Sequence, residues 1–283
     1  MNKITRLVVQ GWPKTDAEQA EEALYSSLLT ITEPTKFLTT PGGFVFAPFP
    51  SDWTGTFGWD SQPEELLKLA QAAVPYVSQV ISPRVLAASD GKVEYLTLGL
   101  DLRSLNTNLH AELVAIINMS TGSILRWTGK SYPTPDQEKS LIHITDIASH
   151  TIQLDQERVL LLGCHDLNVF NGRARANQKI GGLRHRRCQA MLQQFDNFQP
   201  TAILQHPHAT DTWKSWIQPW RETSRRYLGA SWASAIAYVH PKKPRAPLAD
   251  VLSKTGDDCL NIIISGRRNP SPLQKNVVPS ALG

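Results

Sequence analysis

Arg158-Val159-Leu160-Leu161-Leu162-Gly163-Cys164-His165-Asp166-Leu167-Asn168 is an apolar run that stops at a glycine and then presents a thiol, an imidazole, a carboxylate and an amide. A short apolar run bounded by turn residues reads as a fully buried strand. Polar side chains at the carboxyl end of such a strand line the clefts of open α/β sheets. A second run, Thr201-Ala202-Ile203-Leu204, ends the same way in Gln205-His206-Pro207-His208-Ala209-Thr210-Asp211.

Helical and strand patterns alternate around these two runs. Leu183 to Phe195 reads as a helix, and Asp211 to Tyr227 as a helix bent or broken at Pro219. Ala235 to Val239 reads as a strand, Leu248 to Ser253 as a short helix and Leu260 to Ile264 as a last strand. Upstream, Val93 to Asp101, Ala111 to Asn118 and Ser123 to Trp127 are β-rich runs separated by turn residues. Thr15-Asp16-Ala17-Glu18 and Ser61 to Glu64 have the form of capping boxes that open amphipathic helices. Between them, Phe37 to Trp59 is rich in aromatics, Gly, Pro and Thr, a pattern of short strands and ordered loops. The fold class expected is α/β, a layered sandwich of mixed β-sheets flanked by helices. One α/β domain is expected over 1–265, with 1–92 as an N-terminal elaboration, 93–265 as core and the candidate site in 158–240. The tail 266–283 is expected to be mobile and basic.

With 283 residues, 41% hydrophobic and 19% charged, the chain has globular composition. No apolar stretch reaches the ~18–20 residues of a membrane span, and Met1 to Pro13 lacks a basic segment followed by an apolar one. The three cysteines, Cys164, Cys188 and Cys259, form no C-x-x-C pair, so neither a disulfide framework nor a thiolate zinc site is expected. These features predict a cytoplasmic protein with no membrane partner. The net charge of +4 divides unevenly, at −7 over residues 1–157 and +11 over residues 158–283. A basic half predicts an anionic partner, a nucleic acid or a nucleotide, and the acidic half offers a surface for a protein partner.

In His206-x-His208 two imidazoles on an extended segment project to one side, a spacing that suits a metal ion. With His165 and Asp166 they make a nitrogen and oxygen ligand set for zinc or manganese, with Asp166 and His165 also as catalytic groups. Asp211 and Asn168 are expected to orient the ligands from behind. No acidic residue occurs from Leu167 to Phe195, and Arg173, Arg175, Lys179 and Arg184 in that stretch are candidate phosphate-binding groups. Cys164, beside a histidine, is an additional candidate nucleophile. Trp213, Trp216 and Trp220 read as a helix face packed into the core. Gly129-Lys130-Ser131 lacks the upstream glycine of a phosphate loop and carries no function in this reading.

Arg158 to Gly163 running into His165-Asp166, then Ala202 to His208, Ala237-Tyr238-Val239-His240-Pro241, Val251 to Thr255 and Asn261 to Ile264 resemble the C-terminal half of metallo-β-lactamase-fold proteins of the DNA-uptake type. The resemblance covers residues 158–265 and implies an αββα sandwich, Asp166 as bridging carboxylate and His206 or His208 as the late metal ligand. The Gly163 to Asp166 turn and the later His-x-His are also similar to elements of calcineurin-like phosphoesterases. The early H-x-H-x-D-H motif has no counterpart, since residues 1–157 contain only His110, His143 and His150. The function implied is metal-dependent hydrolysis of phosphodiester bonds in nucleic acid or a nucleotide. The alternative is a catalytically inactive metallohydrolase-like module that binds nucleic acid or a protein through the basic half. A third reading is a hydrolase that depends on Cys164.

Overall fold

The computed structural model describes residues 2–11, 16–104, 106–176, 178–239 and 245–266. In chain order the elements are β1 (Asn2–Gln10), α1 (Ala17–Thr30), β2 (Thr35–Thr39), β3 (Val45–Pro48), α2 (Glu65–Val80), α3 (Pro83–Ser89), β4 (Val93–Arg103), β5 (His110–Asn118) and β6 (Ile124–Gly129). There follow β7 (Thr151–Leu154), β8 (Glu157–Leu162), α4 (Gly172–Ala176), α5 (Leu183–Phe198), β9 (Ala202–Gln205), α6 (Ile217–Arg226), β10 (Ser231–Ser234), β11 (Ile236–Ala237), α7 (Leu248–Lys254) and β12 (Cys259–Ser265). Two sheets result. The larger runs β11-β1-β2-β4-β5-β6, with β12 also on β1 and β3 also on β4, and the smaller runs β10-β9-β8-β7.

The period of two along each strand divides the apolar residues between layers. On β8, Val159 and Leu161 face the other sheet, whereas Leu160 and Leu162 face the helices. On β5, Val114 and Ile116 join that same middle layer while Leu113, Ala115 and Ile117 pack against the helices of the large sheet. Leu24 and Leu28 of α1, Leu69 and Val77 of α2, and Val85 of α3 cover the large sheet, and Met191 and Phe195 of α5 with Trp220 of α6 cover the small one. The order of layers is therefore helix, sheet, sheet, helix. This is the layered α/β sandwich of mixed sheets that the sequence predicts. Both sheets combine parallel and antiparallel pairs, as β8 pairs parallel with β9 and antiparallel with β7.

Several expectations change in detail. β1, β2 and β3 all pair within the large sheet, and β1 pairs parallel with β2, β11 and β12, so residues 1–92 supply strands of the sheet itself. The helix expected from Asp211 begins at Ile217, which puts Pro219 in its first turn, where a missing N–H costs nothing. Trp216 and Trp220 are buried, and Trp220 stacks on Trp232 with ring centroids 4.4 Å apart. Helix α1 is capped by the side chain of Asp16, which accepts from Gln19 N; Thr15 lies outside the described residues. So do His240, Pro241 and the tail beyond Gly266.

Candidate active site

Cys164 follows β8 directly after Gly163, at the carboxyl end of a central strand of the small sheet. A Cβ on Gly163 would come within 2.9 Å of Lys130 Cα and of Asp166 Oδ2, so glycine lets the turn approach the segment that carries Lys130. Asp166 fastens the two together. It accepts hydrogen bonds from the backbone N–H groups of Ser131 (2.9 Å), Tyr132 (2.7 Å) and Gly163 (2.8 Å). The Cys164 carbonyl accepts from Gln205 Nε2 at 2.8 Å, which ties the turn to β9. The Cys164 side chain opens into a cleft of about 380 Å³ whose walls include Arg103, Glu112, Lys130, His165, His208 and Trp216.

The floor of that cleft is built by charges that enter from the large sheet. Asp101 on β4 and Glu112 on β5 are direct cross-strand partners, and both are buried. Like charges so placed repel unless a cation stands between them. His208 stands there, with Nε2 donating to Asp101 Oδ1 at 2.6 Å and Nδ1 3.4 Å from Glu112 Oε2. Lys130 Nζ donates to Glu112 Oε1 at 3.1 Å and to Gln137 Oε1, and Arg103 pairs with Asp101 at 3.0 Å.

These neighbours set the protonation states. Burial pushes the Glu112 carboxyl up, but His208 and Lys130 outweigh it and hold it at about 2. Burial pulls the Lys130 ammonium down, and Glu112 and Cys164 more than compensate, so it is raised. Burial disfavours the His208 imidazolium, yet Asp101 and Glu112 lift it well above the ordinary histidine value. For Cys164 burial pushes up, whereas His165 and His208 bring the thiol down to about 5. The neighbours thus favour the thiolate of Cys164, the ammonium of Lys130, the imidazolium of His208 and the carboxylate of Glu112. A thiolate is the nucleophilic form of cysteine.

The residues expected to bind metal do not converge. Asp166 is fully buried and engaged by three backbone N–H groups. His206 is buried and donates from Nδ1 to the Thr40 carbonyl at 2.7 Å, away from His208, which faces Asp101. The His-Pro-His spacing places the rings on different partners because the segment wraps against Gly42, whose N–H donates to Pro207 O at 3.1 Å. His165 lies against Trp216, with ring centroids 5.9 Å apart. Among the described residues no group of three or more His, Cys, Asp and Glu side chains can hold a metal ion. The zinc or manganese site expected from the sequence is therefore corrected to a site of charged side chains around a thiol.

Asp211 pairs with Arg245 (2.7 and 3.0 Å) at the rim of the cleft, and Asn168 lines its wall. The expected phosphate clamp is dispersed. Arg173 and Lys179 are exposed, Arg175 donates to the Val169 carbonyl at 2.9 Å, and Arg184 binds the Pro133 carbonyl at 2.8 Å and pairs with Glu138. None of the four lines the cleft that holds Cys164. Sequence reasoning missed Glu112 and Lys130. A signal was present, because the strand period puts Asp101 on the face of Tyr95, and Glu112 on the face of Val114 and Ile116, the apolar face between the sheets. A carboxylate there needs a buried cation.

Comparison with solved structures identifies the architecture. The chain shares its fold with an amidase from Nesterenkonia sp. The TM-score is 0.52 at 13% sequence identity, over 83% of this chain and 77% of that one. A cysteine variant of the same amidase, assigned to the nitrilase superfamily, gives 0.51 at 13% identity over the same shares, and a variant in complex with butyramide gives 0.51 at 12%, again over 83% and 77%. No protein-family model matches the sequence, and no curated protein matches it.

This likeness corrects the expected families: the fold resembles that of an amidase assigned to the nitrilase superfamily, in place of a metallo-β-lactamase or calcineurin-like fold. With it go the functions derived from those families. Metal-dependent hydrolysis of phosphodiester bonds loses both its family and its ligand set, and the inactive metallohydrolase-like module loses its family. Among the described residues no helix is long and apolar enough to cross a membrane.

Proposed function

We propose that the chain is a cysteine-dependent hydrolase of carboxamide C–N bonds, with Cys164 as nucleophile. The observation that carries the reading is the meeting of Cys164, Lys130 and Glu112 on one cleft at the strand ends, with the thiol held far below its ordinary value. The shared fold adds support, since the amidase that has it was captured with butyramide and, in another structure, with the acetamide moiety of fluoroacetamide on an active-site cysteine.

The chemistry follows from the charges. The Cys164 thiolate attacks the carbonyl carbon, and the oxygen gains negative charge as the tetrahedral centre forms. An ammonium has three N–H donors. Among the described residues Lys130 gives two of them to Glu112 and Gln137, and the third serves the developing oxyanion. Glu112 and Asp166 keep the cation and the thiolate in register, the first by pairing with Lys130 and the second by joining the two backbones. Loss of nitrogen leaves a thioester on Cys164, which water hydrolyses.

The test is hydrolysis of a panel of aliphatic carboxamides, read as ammonia released. Wild type is expected to turn over at least one member, Cys164→Ala none, and Lys130→Met about 100-fold or more slower, the usual cost of removing an oxyanion donor. Release of ammonia by Cys164→Ala at the wild-type rate would refute the reading.

A further inference from the structure

Position 42 is where the fold makes room for His208. Pro41 and Gly42 follow β2 under the cleft, and a Cβ on Gly42 would lie 2.6 Å from the His206 carbonyl oxygen and 2.7 and 2.8 Å from His208 Cε1 and Nδ1. The imidazole thus fills the volume a side chain from β2 would take. Its two nitrogens are unequally engaged. Nε2 is anchored on Asp101 at 2.6 Å, whereas Nδ1 is buried and makes no hydrogen bond among the described residues; Glu112 Oε2, 3.4 Å away, makes none either. The backbone N–H of the same residue donates to Cys164 Sγ at 3.4 Å, and its ring shares the cleft with the thiol and interacts with it.

We propose that His208, anchored by Asp101 through Nε2, is the acid–base partner of Cys164 and carries on Nδ1 the proton exchanged during the reaction. The inference rests on the amide-hydrolase reading for its substrate, although its core, the pairing of His208 with Cys164, is measurable without one. The sulfur–carbon bond forms and the carbon–nitrogen bond breaks, and the leaving nitrogen departs with the Nδ1 proton. Water then attacks the thioester, its proton returns to Nδ1, and the carbon–sulfur bond breaks to restore thiolate and imidazolium. When the thiolate is consumed, His208 loses a counter-charge and becomes a stronger acid at the moment the nitrogen needs a proton. The groups that act on His208 are Asp101 on β4, Glu112 on β5, Cys164 after β8 and His206 on its own segment; behind them Arg103 pairs with Asp101, His110 and Lys130 with Glu112, and His165 with Cys164. Of these, His165 is a rival as proton carrier, because it too lies against the thiol and lowers it more than His208 does.

The experiment is the pH profile of Cys164 alkylation by iodoacetamide on the full chain, followed by peptide mass spectrometry that separates Cys164 from Cys188 and Cys259. Wild type is expected to show an inflection near the value of about 5 set by its neighbours. His208→Gln is expected to move that inflection up by a unit or more, slowing alkylation at pH 6 by about twofold for a rise of one unit and by about tenfold for a rise of two. His165→Gln removes the larger of the two influences that lower the thiol, so it is expected to raise the inflection too, while His208, still present, keeps it below the ordinary thiol range. It also supplies a readout should His208→Gln fail to fold. In that variant, alkylation of Cys164 lowers the titration midpoint of one imidazole seen by NMR. An unmoved inflection in His208→Gln, or a return to the ordinary thiol range in His165→Gln, overturns the proposal. A positive profile with no amide turnover overturns the amide substrate alone.

Discussion

Asp166 shows how one residue can be read correctly as important and wrongly as to its task. Its three backbone hydrogen bonds spend both carboxylate oxygens on Ser131, Tyr132 and Gly163. Each buried donor left unsatisfied costs about 1–3 kcal/mol, so Asp166→Ala is expected to lower stability by about 3 kcal/mol or more in denaturant unfolding. It is also expected to slow Cys164 alkylation by loosening the turn, and Asp166→Asn, which keeps an acceptor, lies between. A mutant as stable as wild type would show that these bonds do not hold the turn. The sequence marked Cys164, His165, Asp166 and His208 because they follow apolar strands. It did not mark Lys130 or Glu112, whose meaning depends on two strands, β5 and β6, from a different sheet. A lysine after a strand is ordinary until a buried carboxylate faces it. Nor does linear spacing tell that His206 and His208 diverge, since their separation comes from Gly42 packed beneath them.

At the scale of elements the strands were the most legible part. β4, β5, β8 and β9 fall within a residue or two of their apolar runs, because a strand buried on both faces leaves a continuous signature, and β12 does so although it is largely exposed. The order of strands was not legible: parallel partners such as β1 and β12 stand at opposite ends of the chain. Leu161 sits fully buried in the layer between the sheets, three residues before Cys164. Leu161→Ala is expected to cost about 2–5 kcal/mol, measured by urea unfolding, because the two sheets cannot close the space left behind. A loss below about 1 kcal/mol would mean that the layer is loosely packed. Gly42→Ala tests the other sheet's contribution. Its methyl would meet the His206 carbonyl and the His208 ring, so displacement of His208 is expected to raise the inflection of Cys164 alkylation even where the fold survives.

For the molecule as a whole, buried histidines predict acid lability. Burial, with Arg187 and Lys130 adding to it, brings His143 down to about 3, and burial brings His206 down to about 4. The unfolded chain takes up these protons near 6.5, whereas the native state resists until those lower values, so their contribution is full above 6.5 and is lost as pH falls. Glu112 continues the trend below its ordinary 4.5 towards 2. His208 has the opposite sign: its contribution is full below 6.5 and is lost only as pH rises through its raised value. The denaturation midpoint is expected to drop between pH 7 and pH 4, and His143→Phe to flatten that drop; a flat wild-type profile would refute the assignment.

In the proposed reaction Cys164 carries the acyl group. Rapid quenching of the protein in acid during turnover of a carboxamide, followed by peptide mass spectrometry, measures it directly. An acyl adduct is expected on Cys164, absent from Cys188 and Cys259 and absent altogether in Cys164→Ala. Turnover with no adduct on Cys164, or turnover that survives Cys164→Ala, would contradict it.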